Sequence, residues 1–595
     1  MHSFHIPVLG LGYSVDTPIK VSPFGISSVA SIVDDEMIER MRKYHAIKSR
    51  KSFVPIKTNE PDFRSRRITA YLNLMDEIID DTFNHLRREP FGKGTGITRY
   101  FELLPCTSPL KKPYVQWLNA QNGDQKAQLE QELRASLVKG SIDVNIMSKV
   151  DKMNKSASGE MLGDEDSDAS AALRGFAQST LASSLVLSAG MNPRLYGYLE
   201  KFRDFYPDEK GRLKKKIILK VSDFRSAFIQ AKFLAKKGIW ISEFRIESGL
   251  NCGGHAFATD GYLLGPILEE FKTKRKEMSA ELFAMYQTAL ATKGLHIDTM
   301  PALLITVQGG IGTAKEHEFL LRHYGVDAAG WGSPFLLVPE VTNVDADTLN
   351  DLVEADSSDY YVSDSSPLGV LFNNFRNSSA EKDRLARIAK GRPGSPCKKK
   401  YLVSNTEFTE EPICLASREY QHLKLNQLKS LNLEAQEYEI QANAITQKIC
   451  LCDGLSTSTL LKNNLLAPRE NKSVAICPGP NLAWFSRTYS LEEMAGHIYG
   501  KTDLLAGVKR PNMFINELTL YVEYYIKERG VYTKNPTPKK LKYLQKFAGQ
   551  ILAGIDYYRA LVEELTNETD EYRREMQNQL VISEDQVREC VMEFA

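Results

Sequence analysis

Three loops in this chain carry residues whose types and spacing could do chemistry. The first is Val307-Gln308-Gly309-Gly310-Ile311-Gly312-Thr313, where an apolar run leads through glycines into a helical pattern. Glycine lets the backbone approach an anion closely, and the free N–H groups of a following helix can bind it. The second is Gly332-Ser333-Pro334-Phe335, at the end of the run Val326 to Trp331. Two successive strand-to-helix loops of small residues form the phosphate site that recurs after the seventh and eighth strands of TIM barrels. The third is Asn251-Cys252-Gly253-Gly254-His255. An imidazole after two glycines reaches a ligand without obstruction, and its ordinary pKa suits proton transfer near neutrality. Taken alone, Gly-Gly-His more often only bonds loop backbone.

Two further sets are candidates. Lys220 ends the run Ile217 to Val221, where an ammonium could stabilise negative charge in a dry site; a strand-edge lysine reaching water is as good a reading. Five cysteines lie late in the chain: Cys397, Cys414, Cys450, Cys452 and Cys477. They offer enough thiolates for a zinc or iron–sulfur site. The irregular gaps and the lack of any Cys-x-x-Cys instead favour cysteines that simply pack, so no metal ligand is assigned. The remaining histidines lack acidic or thiol partners at metal-site spacing, and His2 and His5 are passed over as terminal.

The order Gly-Gly-His, Gly-Gly-Ile-Gly, Gly-Ser-x-Phe resembles the nitronate monooxygenase (2-nitropropane dioxygenase) family and the related FMN-dependent enoyl-ACP reductases. Three earlier segments fit the same template. Ile19 to Gly25 resembles the first strand and its turn, with Pro23, Phe24 and Gly25 against the flavin. Asp143 to Ile146 resembles the strand bearing a flavin-contacting Asn, here Asn145. Lys220-Val221-Ser222-Asp223 resembles the unit before the Gly-Gly-His loop. The likeness covers about residues 15 to 345 and fades by 378. It implies an FMN with its phosphate on Gly310, Gly312, Gly332 and Ser333, with Gly309, Gly253 and Gly254 among the cofactor-binding residues. It also implies His255 as the base that takes a substrate proton; Lys220 stays a secondary catalytic candidate on its own position. Asn251-Cys252 and Pro334 depart from the family pattern near the flavin or substrate, so the fold transfers better than the substrate.

These loops need a barrel to position them. Alternating β-branched runs and amphipathic stretches predict βαβ units. Strands are expected at 142–146, 184–188, 217–221, 238–242, 302–307 and 328–331, with a helix from Asp223 to Lys237. The expected fold is an α/β (β/α)8 TIM barrel over residues 1–378, with insertions at about 88–140 and 152–170. A mainly helical C-terminal module over 379–595 follows. The acidic insertion at 152–170 reads as a solvated loop, with an active-site lid as the alternative. The insertions and the module are expected to help wall the substrate pocket.

Bulk properties narrow the function. Lys and Arg number 76 against 75 Asp and Glu, so nothing global draws the chain to nucleic acid or an anionic membrane. No run of about 18 apolar residues is present, and the first residues lack a signal-peptide pattern. The expectation is a cytoplasmic, reduced flavoenzyme with monooxygenase-like chemistry on a small-molecule substrate. NAD(P)H-dependent, enoyl-reductase-like chemistry is the alternative. A non-redox barrel enzyme acting on a phosphorylated substrate is the other. The C-terminal helices could serve self-association or a partner.

Overall fold

A computed structural model describes residues 2–148, 150–155, 159–188, 190–252 and 259–592. Eight parallel strands close into a barrel. They are β1 (Phe4–Ile6), β2 (Ser27–Ser31), β3 (Ile142–Asn145), β4 (Ser183–Leu187), β5 (Lys215–Val221), β6 (Ile241–Glu247), β7 (Leu304–Gln308) and β8 (Ala328–Gly330). β1 closes the barrel on β8, with Phe4 opposite Ala329 and His5 opposite Gly330. The TIM-barrel expectation therefore holds, and β3, β4, β5, β7 and β8 lie where the β-branched runs put them.

Three expectations need correction. The first strand is Phe4–Ile6 and not the 19–25 segment, which forms a helix (Thr17–Val21) and a 3₁₀ turn (Ser22–Phe24). Pro18 at the start of that helix and Pro23 in the turn fix helical φ and withhold ladder donors, so a strand there would be interrupted twice. Hence His5, set aside as terminal, is a buried residue of the barrel. The sixth strand starts at Ile241, displaced from 238–242, because Gly238 sits at φ 74 in the turn that closes the preceding helix.

The lumen is partly ionic. Arg245 on β6 donates to Asp143 on β3 at 3.0 Å and to Glu243 at 2.7 Å, and Thr306 on β7 donates to Glu243 at 2.5 Å. All four side chains are buried. Buried charges persist only when paired in this way. Val8, Val29, Val186 and Ile218 form a small separate apolar cluster.

Outside the barrel, the helix Phe224–Ala235 begins where its cap predicts, Asp223 accepting from the Ser226 N–H at 2.7 Å. The 88–140 insertion folds into three helices (Gly96–Leu103, Lys111–Asn119, Asp124–Ala135). Phe101, Tyr114 and Trp117 give it a core of its own, shared with the end of the helix Phe63–Arg88. It lies at the N-terminal end of the barrel, where Tyr100 donates to the Val138 carbonyl just before β3. It therefore cannot wall a pocket at the C-terminal mouth, contrary to expectation. In the second insertion the acids of the turn Asp164–Asp166 are tied down by Arg194, Arg174 and Lys201.

Beyond the barrel come an antiparallel hairpin of β9 (Tyr360–Ser363) and β10 (Phe372–Phe375) and then helices. Residues 418–446 form two helices, Arg418–Ser430 and Ala435–Thr446, with Asn432 between them at φ 48. Long helices follow at Met513–Lys534, Pro538–Glu564 and Asp570–Met592. One buried apolar cluster runs from the barrel into these helices, from Phe4 to Cys590. Among the described residues no helix is long and apolar enough to cross a membrane.

Candidate active site

The C-terminal ends of the strands open onto a cavity of about 730 Å³, within the usual range for small-molecule sites. The C-terminal segments roof it, with Phe372, Leu455 and Tyr524 on its wall. Asn145 at the end of β3, Lys220 on β5 and Glu247 at the end of β6 line its polar side. Lys220 donates to Glu247 at 3.1 Å, both side chains being nearly covered. The same Glu247 oxygen accepts from Asn251 at 2.6 Å and from Gln308 at 2.9 Å. Three strands thus converge on one carboxylate oxygen, and Lys220 is held inside the barrel mouth rather than reaching water.

The glycine loops after β7 and β8 lie beside this cavity, with Asn251 bordering both. Gly309 and Gly310 adopt φ of 104 and 80, and a Cβ on Gly309 would come within 3.0 Å of the Asn251 backbone. Glycine is required there by conformation and by contact. The space enclosed by Gly309, Gly310, Gly332 and Ser333 is only about 10 Å³, room for about one water.

What fills the rest comes from the C-terminal module. Asn481 donates to the Ile311 carbonyl at 2.9 Å, and Gly479 packs so close to Ser333 that a Cβ would meet its hydroxyl at 2.8 Å. The Arg510 guanidinium lies against Gly312, donates to Asn481 at 2.9 Å and pairs with Glu316 at 2.7 Å, both charged side chains being 3% exposed. Glu316 in turn accepts from the N–H groups of Gly312 at 2.8 Å and Thr313 at 3.2 Å, completing a capping box on the helix Ala314–His323. The donors that an external anion would use at this helix start are bonded to the chain's own carboxylate.

A second clamp holds the loop after β6. Glu517, buried on the helix Met513–Lys534, accepts from Ser248 Oγ at 3.0 Å, the Gly249 N–H at 3.1 Å and the Leu264 N–H at 2.8 Å. Burial raises its pKa, against the pull of these hydrogen bonds. It thereby fixes the chain on both sides of residues 253–258.

The structure brings Asn145, Lys220, Gly309, Gly310, Gly312, Gly332 and Ser333 to one end of the barrel. It places Pro23, Phe24 and Gly25 at the other: the Gly25 N–H bonds Ser22 just ahead of β2, and the Phe24 ring lies under Arg99 of the 88–140 insertion. Those three residues are far from the mouth because the strand that leads to it is Phe4–Ile6. Gly253, Gly254 and His255 lie outside the described residues; their flanking neighbours Asn251 and Thr259 both line the mouth cavity. Sequence reasoning missed Glu247, Glu316, Asn481, Arg510 and Glu517. Only the Thr-x-x-Glu spacing of Thr313 and Glu316 gave a local signal.

No family model matches the chain, and no curated protein does. Among solved structures, the enoyl reductase domain of MlnA from the macrolactin biosynthesis cluster of Bacillus amyloliquefaciens matches at 14% identity and a TM-score of 0.34. That match covers 65% of this chain and 88% of the other. FabK from Thermotoga maritima matches at 13% identity and a TM-score of 0.31, over 64% and 83% of the two chains. Likenesses this distant carry no functional argument, so the site rests on its own residues.

Proposed function

We propose that this chain is a flavin-dependent oxidoreductase that turns over a small organic molecule in the barrel mouth, with FMN as its flavin. The observation that carries the reading is the cavity of about 730 Å³ that meets the two glycine loops at Asn251. Its dimensions suit a planar ring system together with a small substrate. Asn145 and Lys220 would hold the ring, and Gly310, Gly332 and Ser333 the phosphate. A bound flavin supplies two-electron chemistry at its ring.

The chain's own residues do the rest. Glu247 keeps the Lys220 ammonium oriented, so that positive charge stands ready at the mouth. The roof of C-terminal helices limits water. Glu517 holds Gly249 and Leu264 on either side of residues 253–258, and His255 is the residue we assign as general base. Nitronate-monooxygenase-like oxidation with oxygen is the finer reading. Reduction by NAD(P)H, as in an enoyl reductase, uses the same pocket.

The phosphate end fits less freely than the ring end, since Asn481 and Gly479 must yield for a phosphate to enter. Titration of the purified protein with FMN and with riboflavin, followed by flavin fluorescence, tests the reading. FMN is expected to bind at least about tenfold tighter, about 1.4 kcal/mol. Equal affinity would show that the 477–481 segment keeps the loops closed to phosphate. Absence of binding by either flavin would sink the proposal.

A further inference from the structure

Two backbone bridges beyond the barrel gather positive charge around one cleft. A parallel bridge sets Ser395 beside Ser417: the Ser395 N–H donates to the Ala416 carbonyl at 2.9 Å, and the Arg418 N–H to the Ser395 carbonyl at 2.8 Å. An antiparallel bridge sets Asn405 beside Ile413, whose N–H donates to the Asn405 carbonyl at 2.8 Å. Residues flanking these bridges enclose a cleft of about 640 Å³. Arg392, Lys400 and Arg418 line it, and Glu419 is the one carboxylate among the described lining residues. Pro393, Pro396, Val403 and Ile413 supply its apolar walls.

The three cations lack counter-charges. Elsewhere Arg64 pairs with Asp35 at 2.6 Å, Arg245 with Asp143 at 3.0 Å and Arg510 with Glu316 at 2.7 Å. Among the described residues, the side chains of Arg392, Lys400 and Arg418 make no ion pair or hydrogen bond. The Arg418 Nε is buried without a partner. A buried donor lacking an acceptor is destabilising, and like charges around one space repel each other. An anion in the cleft relieves both. The backbone is also held out of its ordinary range here: Cys397 and Lys400, at φ 50 and 55, are two of the six non-glycine residues with positive φ in the described chain. Such strain gathers at ligand clamps.

We propose that this cleft binds a phosphate monoester, with its head on Arg392, Lys400 and Arg418 and its apolar body against Pro393, Pro396, Val403 and Ile413.

Three cations and Glu419 leave two positive charges, which a phosphate monoester cancels and a carboxylate does not. A guanidinium fork matches phosphate oxygens in pairs. The cleft also shares a wall with the barrel mouth. Lys400 and Val403 line the cleft, while Tyr401 and Leu402 between them line the mouth cavity. Asp34 fixes that wall, binding the Lys399 ammonium and accepting from Tyr401 Oη at 3.2 Å.

The inference does not depend on what the mouth binds. Phenyl phosphate and inorganic phosphate are titrated separately into the full-length protein at low salt, with heat as the readout. One phenyl phosphate per chain is expected, bound at least about tenfold tighter than inorganic phosphate because its ring buries apolar area. Arg418→Gln should weaken phenyl phosphate at least about tenfold, and Lys400→Gln by a smaller factor. Since Arg418 has no partner to lose, Arg418→Gln should melt at the wild-type temperature without ligand, yet lack the rise that phenyl phosphate gives the wild type. FMN affinity should be the same in both proteins, so that failure here leaves the flavin reading to its own titration. Wild-type protein that binds no phenyl phosphate, or binds both anions equally, overturns the proposal. So does wild-type affinity for phenyl phosphate in Arg418→Gln.

Discussion

The two ends of the barrel are covered in different ways. The N-terminal end is closed by the 88–140 helices, which bring aromatic residues of their own: Phe101, Tyr114 and Trp117 stack on one another. The C-terminal end is covered by segments that arrive with charges and amides, Arg510 and Glu517 among them, and these bond directly to the backbone of the mouth loops. An apolar cover needs only to exclude water. A polar cover must also be placed to within a hydrogen bond, and it sets the shape of whatever the loops can bind. That contrast matches the division in TIM barrels between a face that serves stability and a face that serves chemistry.

Substitutions at the two ends should separate these roles. Arg510→Ala leaves Glu316 buried and unpaired, which costs about 3–5 kcal/mol. Chemical denaturation should show the loss, and flavin affinity should change with it. Phe101→Ala should cost about 3 kcal/mol through the cavity it leaves, with flavin affinity unchanged. If Phe101→Ala weakens flavin binding as much as Arg510→Ala does, the division between the ends is wrong. A third test, read as a dependence on pH, falls at Lys215, the buried first residue of β5, which donates to Ser179. Burial pulls its pKa from the ordinary 10.5 down to about 7. The unfolded chain therefore binds more protons between those values, and stability rises with pH from 7 to 10. Lys215→Met should flatten that rise in melting temperature. A slope unchanged in the variant would mean that Lys215 keeps its charge in the fold.

How much of this was legible in the sequence depends on how local each signal is. Runs such as Ile217 to Val221 read as strands because their apolar residues are buried by the helices around them. β1 is three residues long, too short for any alternation to show, and β2 reads Ser-Ser-Val-Ala-Ser. β6 hides its register behind Glu243, Arg245 and Glu247, charges that face the lumen and find partners on other strands. The glycine loops were visible because glycine marks its own backbone need. The groups that press on them from residues 479–517 were not, since nothing near Arg510 in sequence points to Glu316.

The closing of β1 on β8 has a consequence for how the chain comes to be folded. During synthesis the first strand leaves the ribosome early, yet its partner at residues 328–330 follows more than three hundred residues later. Contacts of such separation form slowly, and unpaired strand edges invite aggregation while they wait. Even then the nascent barrel has an uncovered mouth, because Asn481, Arg510 and Glu517 are still to be made. Synthesis halted before residue 479 would leave a barrel whose mouth loops are bare, a natural substrate for chaperones.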